Sequence, residues 1–185
     1  STPSAPTLVS QITGSRGRIA TQGSTAYSSP SGGFFPSVQI LDLSTPDSPV
    51  QSGEILSDGN SEDVRVGAGQ AIVATGERGV VVLNTANPFA PTFAGRLTFP
   101  NDTVAVVEYV NGVAAAGTYG GKVHIVDTST PTNPTEVASF DFFTQLVLDL
   151  AARGTRLYIA TGESGLRAYD LTTPATPQSV WQWSV

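Results

Sequence analysis

Val123-His124-Ile125-Val126-Asp127-Thr128-Ser129-Thr130-Pro131-Thr132-Asn133-Pro134 reads as a short apolar strand, an acidic residue, a hydroxyl-rich turn and a pair of prolines. The same phrase stands at Val38-Gln39-Ile40-Leu41-Asp42-Leu43-Ser44-Thr45-Pro46-Asp47-Ser48-Pro49 and at Val80-Val81-Val82-Leu83-Asn84-Thr85-Ala86-Asn87-Pro88-Phe89-Ala90-Pro91, and a fourth copy runs from Leu166 through Asp170 to Pro177. Its closing proline recurs as Pro6, Pro49, Pro91, Pro134 and Pro177, at steps of 43, 42, 43 and 43 residues. A period of that size, written in short strand-like stretches between turn signals, is the spacing of one blade of a β-propeller.

Working outward from the phrase, the chain divides into units 6–48, 49–90, 91–133 and 134–176 of a single propeller-type repeat domain, and 177–185 opens a fifth unit. In the second unit the strands are expected over 50–56, 63–66, 71–75 and 80–83; the strands of the units are rich in Val, Ile, Thr and Tyr and bounded by Gly, Pro, Asn and Ser. Ala71-Ile72-Val73-Ala74-Thr75-Gly76 aligns with Leu157-Tyr158-Ile159-Ala160-Thr161-Gly162, and more loosely with the segment from Val113. No stretch of ten or more residues carries a 3.6-residue apolar period, so almost no helix is expected. The fold class is all-β, four units of about 43 residues with four antiparallel strands each.

The repeated strand and its serine-and-proline turn resemble the LVIVD-repeat family. Here the strand is spelled by 38–42, 80–84, 123–127 and 166–170, with Asn84 departing from the acidic position. The first unit departs further, by inserting Ser28-Ser29-Pro30-Ser31-Gly32-Gly33-Phe34-Phe35-Pro36. The resemblance implies a propeller and a surface location, and it implies no shared chemistry.

Composition agrees with a secreted or cell-surface protein. Only 13% of residues are charged, Lys122 is the single lysine, and cysteine and methionine are absent. Without cysteine there is neither a disulfide framework nor thiol chemistry, so stability has to come from stacked repeats. No apolar run approaches the roughly 20 residues that cross a membrane, so no membrane insertion is expected. The net charge is −6 and the nine basic residues are scattered, which argues against nucleic acid, whose binding needs a clustered basic face.

Candidate site residues are few. Asp42, Asp127 and Asp170 could form a ring of carboxylates, but each is followed by residues suited to an Asx-turn, and Asn84 can make the same turn through its amide oxygen. The Pro-x-x-Pro pairs read as rigid turns rather than ligands for proline-recognising domains. His124, the only histidine, stands where the other units have Gln39, Val81 and Arg167, the mark of variable packing or solvent. Zinc and nucleophilic chemistry therefore lack their usual parts, no catalytic residue or cofactor is expected, and the chain reads as no enzyme. In Ser57-Asp58-Gly59-Asn60-Ser61-Glu62-Asp63 the oxygens of Asp58, Asn60 and Glu62 alternate as in a Ca²⁺ loop, yet the required glycine and distal glutamate are missing. Asn101-Asp102-Thr103 is a formal glycosylation sequon.

The remaining signal is the inventory of strands. Residues 7–12 and 178–185 are copies of the same first strand, and both are expected to compete for the place beside 166–170. An unpaired apolar strand invites a partner. The expected function is thus a structural and interaction module that binds protein, either copies of itself or further repeats of a longer chain. Leu8, Ile12, Val180, Trp181 and Trp183 lie on the strands that would carry head-to-tail assembly by strand exchange, as a ring or a filament. The alternative is a propeller that binds carbohydrate or peptide on aromatics such as Tyr27, Phe34, Phe35, Tyr119, Trp181 and Trp183. A hydrolase using carboxylates near a central channel is the third reading.

Overall fold

The computed structural model describes residues 8–12, 17–30, 36–142, 146–162 and 165–183. Within them lie sixteen strands and no helix, arranged as four four-stranded antiparallel sheets, each a meander in chain order. The first sheet holds β1 (Gly17–Gln22), β2 (Thr25–Pro30), β3 (Ser37–Asp42) and β4 (Val50–Leu56). The second holds β5 (Asp63–Gly67), β6 (Gln70–Ala74), β7 (Val80–Asn84) and β8 (Thr92–Leu97). The third holds β9 (Val104–Val110), β10 (Val113–Thr118), β11 (Lys122–Asp127) and β12 (Thr135–Asp141), and the fourth β13 (Val147–Arg153), β14 (Arg156–Thr161), β15 (Gly165–Asp170) and β16 (Gln178–Trp183). The all-β propeller fold expected from the repeat is the fold observed.

The sheets run one strand out of phase with the sequence repeat. Each takes three strands from one repeat and its outer strand from the opening of the next, because the Pro-x-x-Pro turn is tight enough to return the chain beside the strand it has just left. Val50–Leu56 thus pairs with Ser37–Asp42, from Ser37 opposite Leu56 to Asp42 opposite Val50. In the same way Gln178–Trp183 pairs with Gly165–Asp170 and completes the fourth sheet within the chain. The expected competition for that place does not arise. Residues 8–12 belong to no strand, and Thr7, Ser184 and Val185 lie outside the described residues.

Hairpins inside the sheets turn on residues with positive φ. Asn111 and Gly112 (φ 47° and 82°) join β9 to β10, and Ala68 and Gly69 (49° and 74°) join β5 to β6, the twist that suits a two-residue hairpin. In every sheet the outer strand carries one extra residue, a bulge between Ile40 and Leu41, Val82 and Leu83, Ile125 and Val126, and Ala168 and Tyr169.

Strands β1, β5, β9 and β13 gather at the centre, around a cavity of about 210 Å³ to which Arg18, Glu62, Val106, Tyr119 and Leu148 contribute. Three hydrophobic cores fill the gaps between successive sheets. Tyr27, Val38 and Ile40 meet Val64, Val73 and Val81. Ile72, Val80 and Val82 meet Val107, Ala114 and Val126. Val113 and Ile125 meet Leu150, Leu157 and Ile159. A middle sheet is covered on both faces, and this explains why Ala71, Ile72, Val73 and Val80 to Leu83, all at 0% exposure, read as unbroken apolar runs rather than alternating ones. Among the described residues no such core joins the fourth sheet to the first. Their inner strands are instead tied by Arg18 Nη1 to Asp149 Oδ1 at 3.2 Å.

Candidate interaction surface

The repeated acidic residue makes the Asx-turn that its neighbours announce. Asp42, Asn84, Asp127 and Asp170 accept the backbone N–H two residues on, from Ser44, Ala86, Ser129 and Thr172, at 2.8, 2.9, 2.8 and 2.8 Å. That Asn84 does the same work shows why the position tolerates loss of charge. A β-turn follows each time, with Ser48, Ala90, Asn133 and Thr176 donating to Thr45, Asn87, Thr130 and Thr173 at 2.9, 3.1, 2.9 and 2.9 Å, and the first proline of each pair is the second of the turn's four residues.

These proline turns are also what each sheet presents to the sheet before it. Tyr27 of the first sheet donates its Oη hydrogen to Pro88 O of the second at 2.9 Å. The outer strand of the second sheet passes so close to Pro131 O of the third that a Cβ at Gly95 would collide with it. The corresponding carbonyl of the first sheet, Pro46 O, accepts instead from Ser10 Oγ at 2.7 Å, so residues 8–12 stand at the side of the first sheet that faces the fourth.

Four residues after the closing proline stand Gly53, Gly95, Ala138 and Trp181, each opposite the centre of the neighbouring strand, at Ile40, Val82, Ile125 and Ala168. The first three are small because the next sheet's turn or core lies over them. The fourth is a tryptophan, 42% exposed, with its ring 6.3 Å from that of Tyr158. Six residues after the proline, Ile55, Leu97 and Phe140 pack against the three cores, whereas Trp183 is 63% exposed. The outer strand of the fourth sheet therefore exposes an aromatic face. This column was legible in the aligned repeats, and only the packing shows what its change from glycine to tryptophan means.

The polar clusters are occupied within the fold. His124 is buried, stacked on Phe99 at 3.8 Å, with Nε2 3.1 Å from Asp102 Oδ2 and Nδ1 3.1 Å from Glu136 Oε1. Neither ring nitrogen is left to face a substrate, and Lys122 Nζ holds the same Asp102 oxygen at 3.0 Å. Sequence reading gave His124 no partners, because both carboxylates reach it from other strands and loops. Asp63, fully buried at the inner end of the second sheet, accepts from the backbone of Val64 (2.8 Å) and Val107 (3.0 Å) and from Arg65 Nη1 (2.6 Å). Burial pushes the Asp63 carboxyl above its ordinary range against the pull of Arg65, and burial raises Glu108 likewise.

In the 57–63 loop Asp58 is bound to Arg96 Nη1 at 2.7 Å, which holds its carboxyl below the usual range. Asn60 is exposed and Glu62 is half-buried at the central cavity, its carboxyl raised by burial. Among the described residues no three acidic, histidine or cysteine side chains converge on one point. Asn101 is exposed in a turn with φ 66°. Tyr27, expected as a stacking surface, is a core residue at 0% exposure, since the strand places its ring between two sheets. Phe34 and Phe35 lie outside the described residues, and Tyr119 is half-exposed at the cavity. Leu8 is 82% exposed and Ile12 half-buried.

The best-covered repeat, with its strand, Asx-turn and outer strand, coincides with a known pattern: residues 113–142 match the family model of the LVIVD repeat. That match covers one of the four repeats. The structure as a whole superposes on the β-propeller domain of Cps50 (Swd1) from Myceliophteria thermophila with a TM-score of 0.67 at 13% identity, covering 90% of this chain and 59% of that one. It superposes on the WD40 repeats of RRP9 with a TM-score of 0.72 at 10% identity, covering 91% of this chain and 53% of that one. For the computationally designed Ika4 protein the TM-score is 0.70 at 9% identity, covering 90% of this chain and 99% of that one. The chain thus spans little more than half the length of the first two, at 59% and 53%. At such identities the likeness shows the propeller fold alone. No curated protein sequence matches the chain.

Proposed function

We propose that this LVIVD-repeat propeller is an exported, non-enzymatic module of a cell-surface or extracellular assembly, which joins other protein, foremost copies of itself, head to tail through its ends. The observation that carries this reading is the seam between the fourth and first sheets. Three seams are sealed by cores, and the fourth bears Trp181 and Trp183, 42% and 63% exposed, where the others carry small or partly buried apolar residues. An exposed apolar face of this kind is a surface suited to another protein. Export is supported by the absence of cysteine and methionine and by the low charge.

Strand exchange is one form of the contact. In it, strand 178–183 leaves its own sheet and completes a sheet in the next copy, so that main-chain bonds lost in one copy are regained in the other. A propeller that binds carbohydrate is the second reading, favoured by the exposed rings of Trp183 and Tyr119. Native mass measured over a concentration series separates the two. Growth of the particle with concentration and no retention on immobilised glycans is expected; a persistent monomer that binds glycans would replace the first reading by the second.

A further inference from the structure

Of the asparagines in the chain, Asn101 alone opens an Asn-x-Ser/Thr triplet whose middle residue is not proline; Asn133-Pro134-Thr135 has the form but carries the excluded proline. Asn101 also differs in what its side chain does. Asn84 and Asn87 accept the backbone N–H two residues on, at 2.9 and 3.2 Å, and Asn111 Nδ2 donates to Leu171 O at 3.1 Å. The Asn101 amide is exposed and makes no hydrogen bond among the described residues, and the Thr103 hydroxyl makes none either.

The backbone holds this triplet at the surface. Asp102 N–H donates to Phe99 O at 3.2 Å and closes a β-turn with Pro100 second and Asn101 third, at φ 66°, the type II arrangement. Phe99 is buried and stacked on His124, so the turn is rooted in the core while its tip meets solvent. The position one repeat earlier, Asp58, is left-handed too, at φ 51°, but its carboxylate is bound to Arg96. The turn therefore accounts for an asparagine at 101, and accounts neither for its unused amide nor for a threonine two residues on. On either side of the Thr103 peptide the chain is pinned, Tyr119 N–H to Thr103 O and Val104 N–H to Gly76 O, both at 3.0 Å. Asn101 and Thr103 line one open groove of about 420 Å³, together with Glu77, Thr98 and Asp102. The Asp102 carboxylate is taken up by Lys122 Nζ and His124 Nε2 at 3.0 and 3.1 Å, so the charge between the two sequon residues is compensated.

Resting on the export proposed above, we propose that Asn101 is a site of N-linked glycosylation. The co-reactant is an oligosaccharide carried on a lipid diphosphate, and the transferring enzyme belongs to the producing cell. Asn101 Nδ2 bonds to the anomeric carbon, the carbon–oxygen bond to the diphosphate breaks, the lipid diphosphate leaves with that electron pair, and the amide gives up one proton. The Thr103 hydroxyl is the second element of the acceptor signal. The first sugar then stands at the mouth of the groove.

Trypsin releases residues 97–122 as one peptide, bounded by Arg96 and the single lysine, Lys122. In protein recovered from outside the producing cells, mass spectrometry should find this peptide carrying hexose or N-acetylhexosamine on Asn101. Thr103→Ala, which leaves Asn101 in place, should abolish the modification, Asn101→Gln should abolish it as well, and Thr103→Ser should retain it. Circular dichroism of the three variants shows that each is folded, so that loss of sugar reports on the acceptor signal. A bare Asn101 in the exported protein would refute the site and leave the export reading standing. A chain found only inside the cell, unmodified, would refute both. Sugar that persists in Thr103→Ala and Asn101→Gln alike would belong to other residues and refute the site.

Discussion

Asp63→Ala tests how the inner ring of strands is held. The carboxylate is wholly buried and spans two sheets, taking Val64 N–H and Arg65 in its own and Val107 N–H in the third. Alanine leaves two buried amides without an acceptor, at about 1–3 kcal/mol each, and leaves the Arg65 guanidinium with Glu108 at 3.5 Å as its remaining carboxylate. Relief from burying a charge, visible in the raised pKa of Asp63, offsets part of this loss. The net cost should be about 3 kcal/mol, which for a domain of this size lowers Tm by about 6–12 °C. Asp63→Asn keeps an acceptor oxygen and should lose about half as much. The assay is thermal unfolding followed by circular dichroism, with urea midpoints as a second measure. If alanine and asparagine both cost under about 1 kcal/mol, the carboxylate does not clasp the sheets and the reasoning fails.

Asp127→Ala should destabilise by about 1 kcal/mol through loss of the 2.8 Å bond from Ser129 N–H, and Asp127→Asn by much less, since Asn84 already does the same work; equal losses in urea titration would contradict the turn role. Gly95→Ala should cost about 1–3 kcal/mol by collision with Pro131 O, whereas Gly53→Ala, whose Cβ would find Phe89 O at 3.9 Å and Ile40 Cδ1 at 3.4 Å, should cost less; similar Tm values for the two would refute the packing of turn on strand. On acidification, Asp127 has a folded-state pKa lowered by the Ser129 bonds, so its stabilisation is present above the ordinary carboxylate value and is lost as pH falls through the folded one, and Asp127→Asn should flatten that limb of a Tm-versus-pH curve. Glu108, raised by burial, works in the opposite sense: its contribution is complete below the ordinary value and is lost as pH rises through the raised one, so Glu108→Gln should gain on the wild type over that interval. A chelator should leave Tm unchanged, because Asp58 is already bound to Arg96; a fall reversed by Ca²⁺ would assign the 57–63 loop to metal.

The recurrence of one phrase determined the repeat, the strands and the turn chemistry before any fold was known. A period near 43 residues, an acidic or amide side chain at the strand's end and a proline as the second residue of a turn are local requirements of the backbone, met within a few residues of chain. Even the column Gly53, Gly95, Ala138, Trp181 was written there as a departure in the last repeat.

Tertiary structure alone decided which strands share a sheet, and it shifted the sheets by one strand against the repeat, because pairing depends on where a turn returns the chain and a sequence period has no intrinsic origin. It also turned His124 from a variable position into a buried partner of Asp102 and Glu136, and Tyr27 from a surface ring into a core residue. Those outcomes depend on carboxylates and neighbouring sheets brought together from distant parts of the chain. The exposure of Trp181 and Trp183 belongs with them: whether a strand's face is covered depends on which sheet or turn packs over it, which no local pattern encodes.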